Sequence, residues 1–433
     1  MTHSGCLRQY KNRFFVICSL FLYTAFFQVD EILADAPETS GSTGFKITVA
    51  AGGFDRTGTI VSLSFPDALP AGNYTMTNET GENVPLQVDE DNTGWFILHE
   101  LPAGNAAEFH LSPDAIKHQE ANTMNSTGGY GVEKHIDSQT ITFSIDNNPV
   151  LSFYHSDNTP PDELDDRYKR GGYIHPVNSP NGTVLTSHLY PGYPHHSGIW
   201  SAWSRTEYQG RTPDFWNIHN NTGRVDVIGL DYSWSGMIHA GMHARNRFVD
   251  LSAPDNEPVT ALQEKWEVTV YRVPENAGYF MFDLKMTQTA NLDQPVNIRA
   301  FHYGGLGFRG HLDWTGPENG FFLTSTGLSR DGNETRARWV HFGGRSDGKL
   351  AGIAVLGHPE NYGSPQPLRI HPELPFFSFA PTQLGDIKIG SGSPYSVRYR
   401  FVTYDGEPES ELIDRLWNDY AYPPGVTVTL SND

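Results

Sequence analysis

Residues 266–286 read WEVTVYRVPENAGYFMFDLKM. Trp266, Val268 and Val270 alternate with polar neighbours, and beyond a Pro- and Gly-bearing turn signal Phe280, Phe282, Leu284 and Met286 alternate again. A period of two puts every second side chain on one face of an extended chain, so each run predicts a half-buried strand. Phe45, Ile47 and Val49 repeat the pattern, as do Ile141, Phe143 and Ile145. Most other apolar runs are short, and the chain carries 43 glycines and 29 prolines. The reading is a mostly β protein built of antiparallel sheets.

One helix is expected, over Glu409–Tyr420. It sets Leu412, Leu416 and Tyr420 on one stripe beside Ile413 and Trp417, and Pro423-Pro424-Gly425 ends it. A shorter helix is expected near Asp114–Glu120. Residues 45–118 read as a small all-β module and the polar stretch Glu120–Tyr130 as a linker. Residues 131–425 read as one large antiparallel β-sandwich ending in the short C-terminal helix. Leu350–Leu356 is expected to be a buried strand.

Residues 1–36 read as an export signal. Arg8, Lys11 and Arg13 precede the apolar core Phe14–Phe27, and Ala34-Asp35-Ala36 fits a cleavage site. That core is shorter than the roughly 20 residues needed to span a membrane. The expected location is therefore secreted or periplasmic, with no membrane association after cleavage. Both cysteines, Cys6 and Cys18, lie inside this leader, so the mature chain has no disulfide and no thiol nucleophile. The leader carries as many basic as acidic residues, so the net charge of −20 survives its removal. Such a charge argues against nucleic acid as a partner, while a local arginine cluster could still hold an anionic substrate.

The chemistry-bearing residues gather in Tyr190–Asn217, YPGYPHHSGIWSAWSRTEYQGRTPDFWN. Imidazoles that titrate near neutrality beside flat aromatic faces suit a polar, ring-shaped ligand such as a sugar. His195 and His196 are adjacent, so on a regular strand they point to opposite faces; Gly192, Pro194 and Gly198 allow the chain to turn instead. Either imidazole is a candidate proton-transfer group. Trp200 and Trp216 are candidates for a sugar-stacking platform, with Trp203, Asp214 and His175 as further substrate contacts. In Ile298–Arg309, IRAFHYGGLGFR, the glycines permit close approach, and His302 and Arg309 are candidates for orienting substrate. In the third cluster, Trp339–Glu360, His341 and Arg345 are candidate substrate contacts and Glu360 a candidate catalytic acid. No GxSxG elbow is present. No metal-binding motif stands out among the histidines. No cofactor is therefore expected, although a His-bound divalent metal stays open as an alternative.

YIHPVNSPNG at 173–182, YPHHSGIWSAW at 193–203, DFWN at 214–217, YGGLGFR at 303–309, GHPEN at 357–361 and YRFVTYDG at 399–406 occur in that order. Over residues 140–422 this pattern resembles the methane-oxygenase PmoA-like family of secreted bacterial proteins. Tyr193 stands where the family's HPHH motif starts with histidine, and Ser197 where a basic residue is common. The resemblance extends to galactose-mutarotase-like β-supersandwiches, which implies carbohydrate chemistry and brings no catalytic residue set. The expectation is a carbohydrate-active protein that cleaves a glycosidic bond by hydrolysis or β-elimination. A metal-dependent oxidoreductase and a non-catalytic glycan-binding or envelope protein are the alternatives. If His195, His196, Arg309 and His302 converge with two carboxylates, hydrolysis is favoured. If they converge with only His, Tyr and Arg, a lyase is favoured.

Overall fold

The computed structural model describes residues 44–117, 131–190 and 192–431. Residues 1–36, read as an export signal, and Glu120–Tyr130, read as a linker, lie outside the described residues. Among those described, no helix is long and apolar enough to cross a membrane.

The alternating runs become strands, as their period demands. Val259–Tyr271 and Tyr279–Ala290 pair antiparallel, and they sit inside an eight-stranded sheet. Its other strands are Gly223–Trp234, His239–Asp250, Tyr395–Asp405, Lys349–Gly357, Trp339–Ser346 and Gly320–Thr324. A second eight-stranded sheet faces it, ordered Leu368–Ile370, Phe376–Phe379, Gly305–Arg309, Ile199–Ala202, Ile174–Val177, Asn148–Tyr154, Thr140–Ile145 and Val132–Ile136. Side chains from the two inner faces interleave. Phe153 meets Trp266 at a ring separation of 5.8 Å and Phe308 meets Phe342 at 6.2 Å. Burying each such ring contributes about 1.5–3 kcal/mol. The two sheets make a large antiparallel sandwich, and the fold is mostly β, as the periodicity predicts.

Gly44–Ala50 and the strands through Ala106–Leu111 form a third, seven-stranded sheet with its own core of Ile47, Val49, Met76, Leu86 and Phe96. Its seventh strand, Gly425–Ser431, comes from the other end of the chain and pairs with Gly44–Ala50. The sequence reading assigned residues beyond 425 no role. The C-terminal helix spans Ser410–Ala421, one residue out of phase with the expected bounds, and buries Ile413, Leu416, Trp417 and Tyr420. Its Asp419 holds Arg56 at 2.9 Å and Thr59 at 2.9 Å, which ties the helix to the N-terminal sheet. The earlier short helix covers Pro113–Lys117.

Candidate functional site

Strand parity decides which side chains can meet. On Gly305–Arg309, Phe308 faces the large sheet, so Gly305, Gly307 and Arg309 face the other way. Trp200 lies opposite Gly307 in the adjacent strand and shares that outer face. A Cβ on Gly307 would sit 2.8 Å from the Trp200 ring and 2.9 Å from Trp216, so only glycine leaves room for both indoles. On the neighbouring strand Phe377 turns inward against Phe308, which sends Phe376 and Ser378 outward. The outer face of the second sheet is thus floored by Trp200, Trp216 and Phe376, with Arg309 at its edge.

A hairpin of His188–Tyr190 and Tyr193–Ser197 runs beside this floor. Its register is irregular, and Gly198 follows at φ +55°. The adjacent imidazoles therefore do not diverge: the His195 and His196 rings lie 4.4 Å apart. His196 stacks on Phe376 at 4.8 Å, on Trp200 at 5.1 Å and on Tyr193 at 5.5 Å. His195 meets His219 at 5.5 Å. The Arg309 guanidinium lies between the Tyr190 ring at 5.7 Å and the Tyr193 ring at 5.8 Å. The imidazoles and the guanidinium thus share Tyr193 as a common neighbour. Next along the face, His175 stacks on His188 at 4.1 Å, and His188 shares a 3.0 Å hydrogen bond with the Tyr173 hydroxyl.

The electrostatics are one-sided. Burial pushes His195 down to about 4, helped by His219, Arg170 and Arg309. Burial also holds His196 well below the ordinary imidazole range, with His195, Arg309 and His371 adding to the effect. His188 and His371 fall to about 4 and His175 to about 3, again chiefly by burial. All are neutral bases at pH 7. Arg309 is 1% exposed, and none of its three guanidinium nitrogens has a hydrogen-bond partner. Burial lowers it to about 10, so it keeps its charge. His196 Nδ1, Trp200 Nε1, Ser197 Oγ and Ser378 Oγ are likewise buried and unpartnered. Unsatisfied buried polar groups are rare and costly, and a cluster of them around an unpaired cation calls for a missing occupant.

Several sequence expectations are corrected here. Trp200, Trp203 and Trp216 are 0%, 0% and 2% exposed, so no sugar can stack on them as they stand. Trp203 turns inward and donates to Gln288 at 2.7 Å, while the exposed rings of the region are Tyr190 and Tyr193. His302 and Arg309 do not meet: His302 precedes the Gly305–Arg309 strand and Arg309 ends it, and that strand alone spans about 13 Å. His302 is exposed and packs on Phe301 and Tyr303. Asp214 is fully used in a turn, accepting from the Trp216 and Asn217 amides and from the Asn217 and Asn220 side chains. His341 is completely buried and bonded to the Tyr404 hydroxyl, away from any surface. Arg345 closes a turn through the Gly348 carbonyl. Glu360 is an exposed partner of Arg398 and His358, and none of these contacts the imidazole cluster. The carboxylate pair that hydrolysis requires is therefore not assembled from these candidates.

Sequence reasoning passed over Arg170, His371 and the Tyr190–Tyr193 pair as site members, and it weighed His219 only within a histidine cluster for metal. Only the tyrosine pair had a local signal, two aromatic residues flanking a Pro-Gly turn. Among the described residues, no three histidine or carboxylate side chains converge as metal ligands would. A cavity of about 930 Å³ lies elsewhere, lined by Asn78, Glu82, His99, Glu108 and Arg415 of the N-terminal sheet and C-terminal helix. None of its lining side chains has an unpartnered buried polar atom. Volume points to that cleft and chemistry to the imidazole face. The chemistry is the stronger guide, because unpaired buried charge must be explained.

None of the curated proteins matches the chain. Solved structures resemble it loosely. An α-mannosidase from Enterococcus faecalis V583 matches with a TM-score of 0.40 and 10% identity, over 90% of this chain and 46% of that one. A glycosyl hydrolase family 38 protein from Enterococcus faecalis gives 0.37 and 9%, over 91% and 48%. The heparan sulfate lyase HepC from Pedobacter heparinus gives 0.30 and 11%, over 69% and 39%. The chain spans less than half the length of each, and at these scores the likeness carries nothing about chemistry. The family comparison covers nearly the stretch from which the PmoA-like resemblance was drawn, and it shows a family described only as one of unknown function. The chain belongs to DUF6807, a family of unknown function whose model matches residues 140–418.

Proposed function

We propose that the imidazole face binds an acidic carbohydrate and cleaves it by β-elimination. The carrying observation is the Arg309 guanidinium, buried and unpartnered beside two neutral histidines. A carboxylate of a uronic acid would supply the missing partner through a forked pair of charge-assisted hydrogen bonds. Neutralising that carboxylate acidifies the adjacent C–H. His195 or His196 takes the proton, the electron pair forms a C=C bond, and the C–O bond to the leaving sugar breaks. The leaving oxygen takes a proton from Tyr193, whose ring touches both imidazoles. The step needs no water, oxidant or second carboxylate. Tyr190 and Tyr193, 40% and 37% exposed, are the rings available to a sugar, and both lie within 5.8 Å of the guanidinium. The reading of residues 1–36 as an export signal supports an activity outside the cytoplasm.

The test is incubation with a panel of uronate-containing polysaccharides, followed by ultraviolet absorbance of the new conjugated double bond. The absorbance should rise with time and fall at least 100-fold in Arg309→Met and in His196→Gln. Cleavage without the double bond would replace elimination by hydrolysis. Stable glycan binding with no product would leave a binding protein.

A further inference from the structure

A second buried arginine stands on the same face without a partner. Arg170 is 4% exposed, and its Nε and Nη2 atoms are buried with no hydrogen bond. The backbone there is pinned. The Arg170 carbonyl accepts from the Asn158 amide at 2.8 Å, and a Cβ on Gly171 would lie 2.5 Å from the Ser156 carbonyl oxygen. Gly172, at φ +72°, is pressed against the Asn246 side chain, where a Cβ would come within 2.4 Å. Only the Gly-Gly pair lets the chain pass so closely, and it holds the arginine in place.

The Arg170 guanidinium lies 5.7 Å from the Tyr173 ring, whose hydroxyl is bonded to His188. Tyr173 also stacks on Tyr154 at 4.7 Å. Arg170 is thereby joined to the His188 end of the aromatic row, while Arg309 sits at the Tyr190–Tyr193 end. Both charges act on His195, which stands between the two ends of this row. Glu264, Asp226 and Asp157 exert a field on Arg170, but no carboxylate among the described residues pairs with it. A lone buried guanidinium is as costly here as at Arg309.

We propose that Arg170 is a second anion-anchoring residue, so that the site takes a chain segment with oxyanions on two neighbouring sugars, one held by Arg309 and one by Arg170. This rests on the reading of Arg309 as the first anchor. The oxyanion at Arg170 is a carboxylate or a sulfate ester, which share the acceptor geometry that the guanidinium fork recognises.

Calorimetric titration of the full chain tests it, with galacturonate, digalacturonate, a sulfated galactan disaccharide and neutral cellobiose as ligands. Digalacturonate, or the sulfated disaccharide if sulfate is the second group, should bind at least tenfold more tightly than galacturonate, and cellobiose should not bind. Arg170→Met should abolish that tenfold gain, whereas Arg309→Met should weaken every anionic ligand. Arg170→Lys keeps the charge and the aliphatic stem, and it stands in if the methionine variant fails to fold. It should lose a smaller part of the gain. A folded Arg170 variant with the full gain intact would overturn the proposal while leaving Arg309 as an anchor. If no anionic ligand binds the unmodified protein, the Arg309 reading fails first and this one with it.

Discussion

Two pairs of buried arginines in this molecule are treated in opposite ways. Arg56 reaches Asp419 at 2.9 Å and also donates to the Ala51 and Tyr422 carbonyls. Arg400 grips Asp283 at 2.8 and 2.9 Å, with the Tyr271 hydroxyl on the same carboxylate. Each of these guanidiniums has a carboxylate partner, and they lock the C-terminal helix and the large sheet in place. Arg170 and Arg309 are buried as deeply, yet Arg309 leaves all three nitrogens unbonded and Arg170 leaves Nε and Nη2. Both environments offer aromatic rings, so ring contact alone does not explain the difference. A fold that pairs its arginines where they serve stability, and leaves two unpaired under one imidazole face, is keeping those two for something that arrives from outside.

The sharpest break in this comparison comes from removing one paired arginine. Arg56→Met leaves Asp419, with 3% of its side chain exposed, with only the longer 3.6 Å contact to Arg415 for a cation. Removing the closer partner of a buried ion pair costs up to about 3–5 kcal/mol. Urea unfolding should show a loss of that size, and an unchanged midpoint would mean that Arg56 is no better paired than Arg309.

Arg309→Met should run the other way. It removes an unpaired buried charge and fills the space with an apolar side chain, so the unfolding midpoint should stay level or rise. Affinity for galacturonate should fall at least 100-fold in the same variant. A loss of stability comparable to that of Arg56→Met would make Arg309 a structural residue and erase the contrast.

The imidazoles sharpen the comparison through pH. His175, His188, His195 and His371 have native values pushed down to about 3 or 4, against about 6.5 in an unfolded chain. Between those values the unfolded state binds more protons, so stability is full above about 6.5 and is lost progressively as pH falls toward 4. The melting temperature should therefore drop between pH 7 and pH 5, and less so in His196→Gln. Saturating digalacturonate should shrink the drop, because an anion on this face favours the imidazolium forms. A melting temperature flat over that range would contradict the burial of these rings.

How much of this was open to a reader of the sequence follows from the range of the forces involved. Alternation is local, so the strands around Trp266 and Phe282 and the stripe of Leu412 and Leu416 were legible from neighbouring residues alone. The His195–His196 pair and Arg309 were found by residue type. Their union was not readable, because it depends on the register that sets Trp200 against Gly307 and on an irregular hairpin. The burial of Trp200 and Trp216 depends on that same register. The separation of His302 from Arg309, by contrast, follows from strand length and could have been deduced. Arg170 had no local signal, since its neighbours come from loops and strands distant in sequence. The pairing of Gly425–Ser431 with Gly44–Ala50 joins the two ends of the described chain, which no window of sequence contains.

An arginine paired in solvent completes the series. Arg245 bonds both oxygens of Asp231 at 2.7 and 2.8 Å, on the outer surface of the large sheet, with 54% of its side chain exposed. Water already solvates both charges, so the pair contributes at most about 0.5 kcal/mol and fades with salt. Arg245→Gln should shift the unfolding midpoint barely beyond error, and 0.5 M salt should make it indistinguishable from the unmodified protein. If its cost instead approached that of Arg56→Met, saturation of the hydrogen bonds rather than burial would be what separates structural arginines from the two on the imidazole face. The case for an occupant at Arg309 would then have to rest on its empty donors alone.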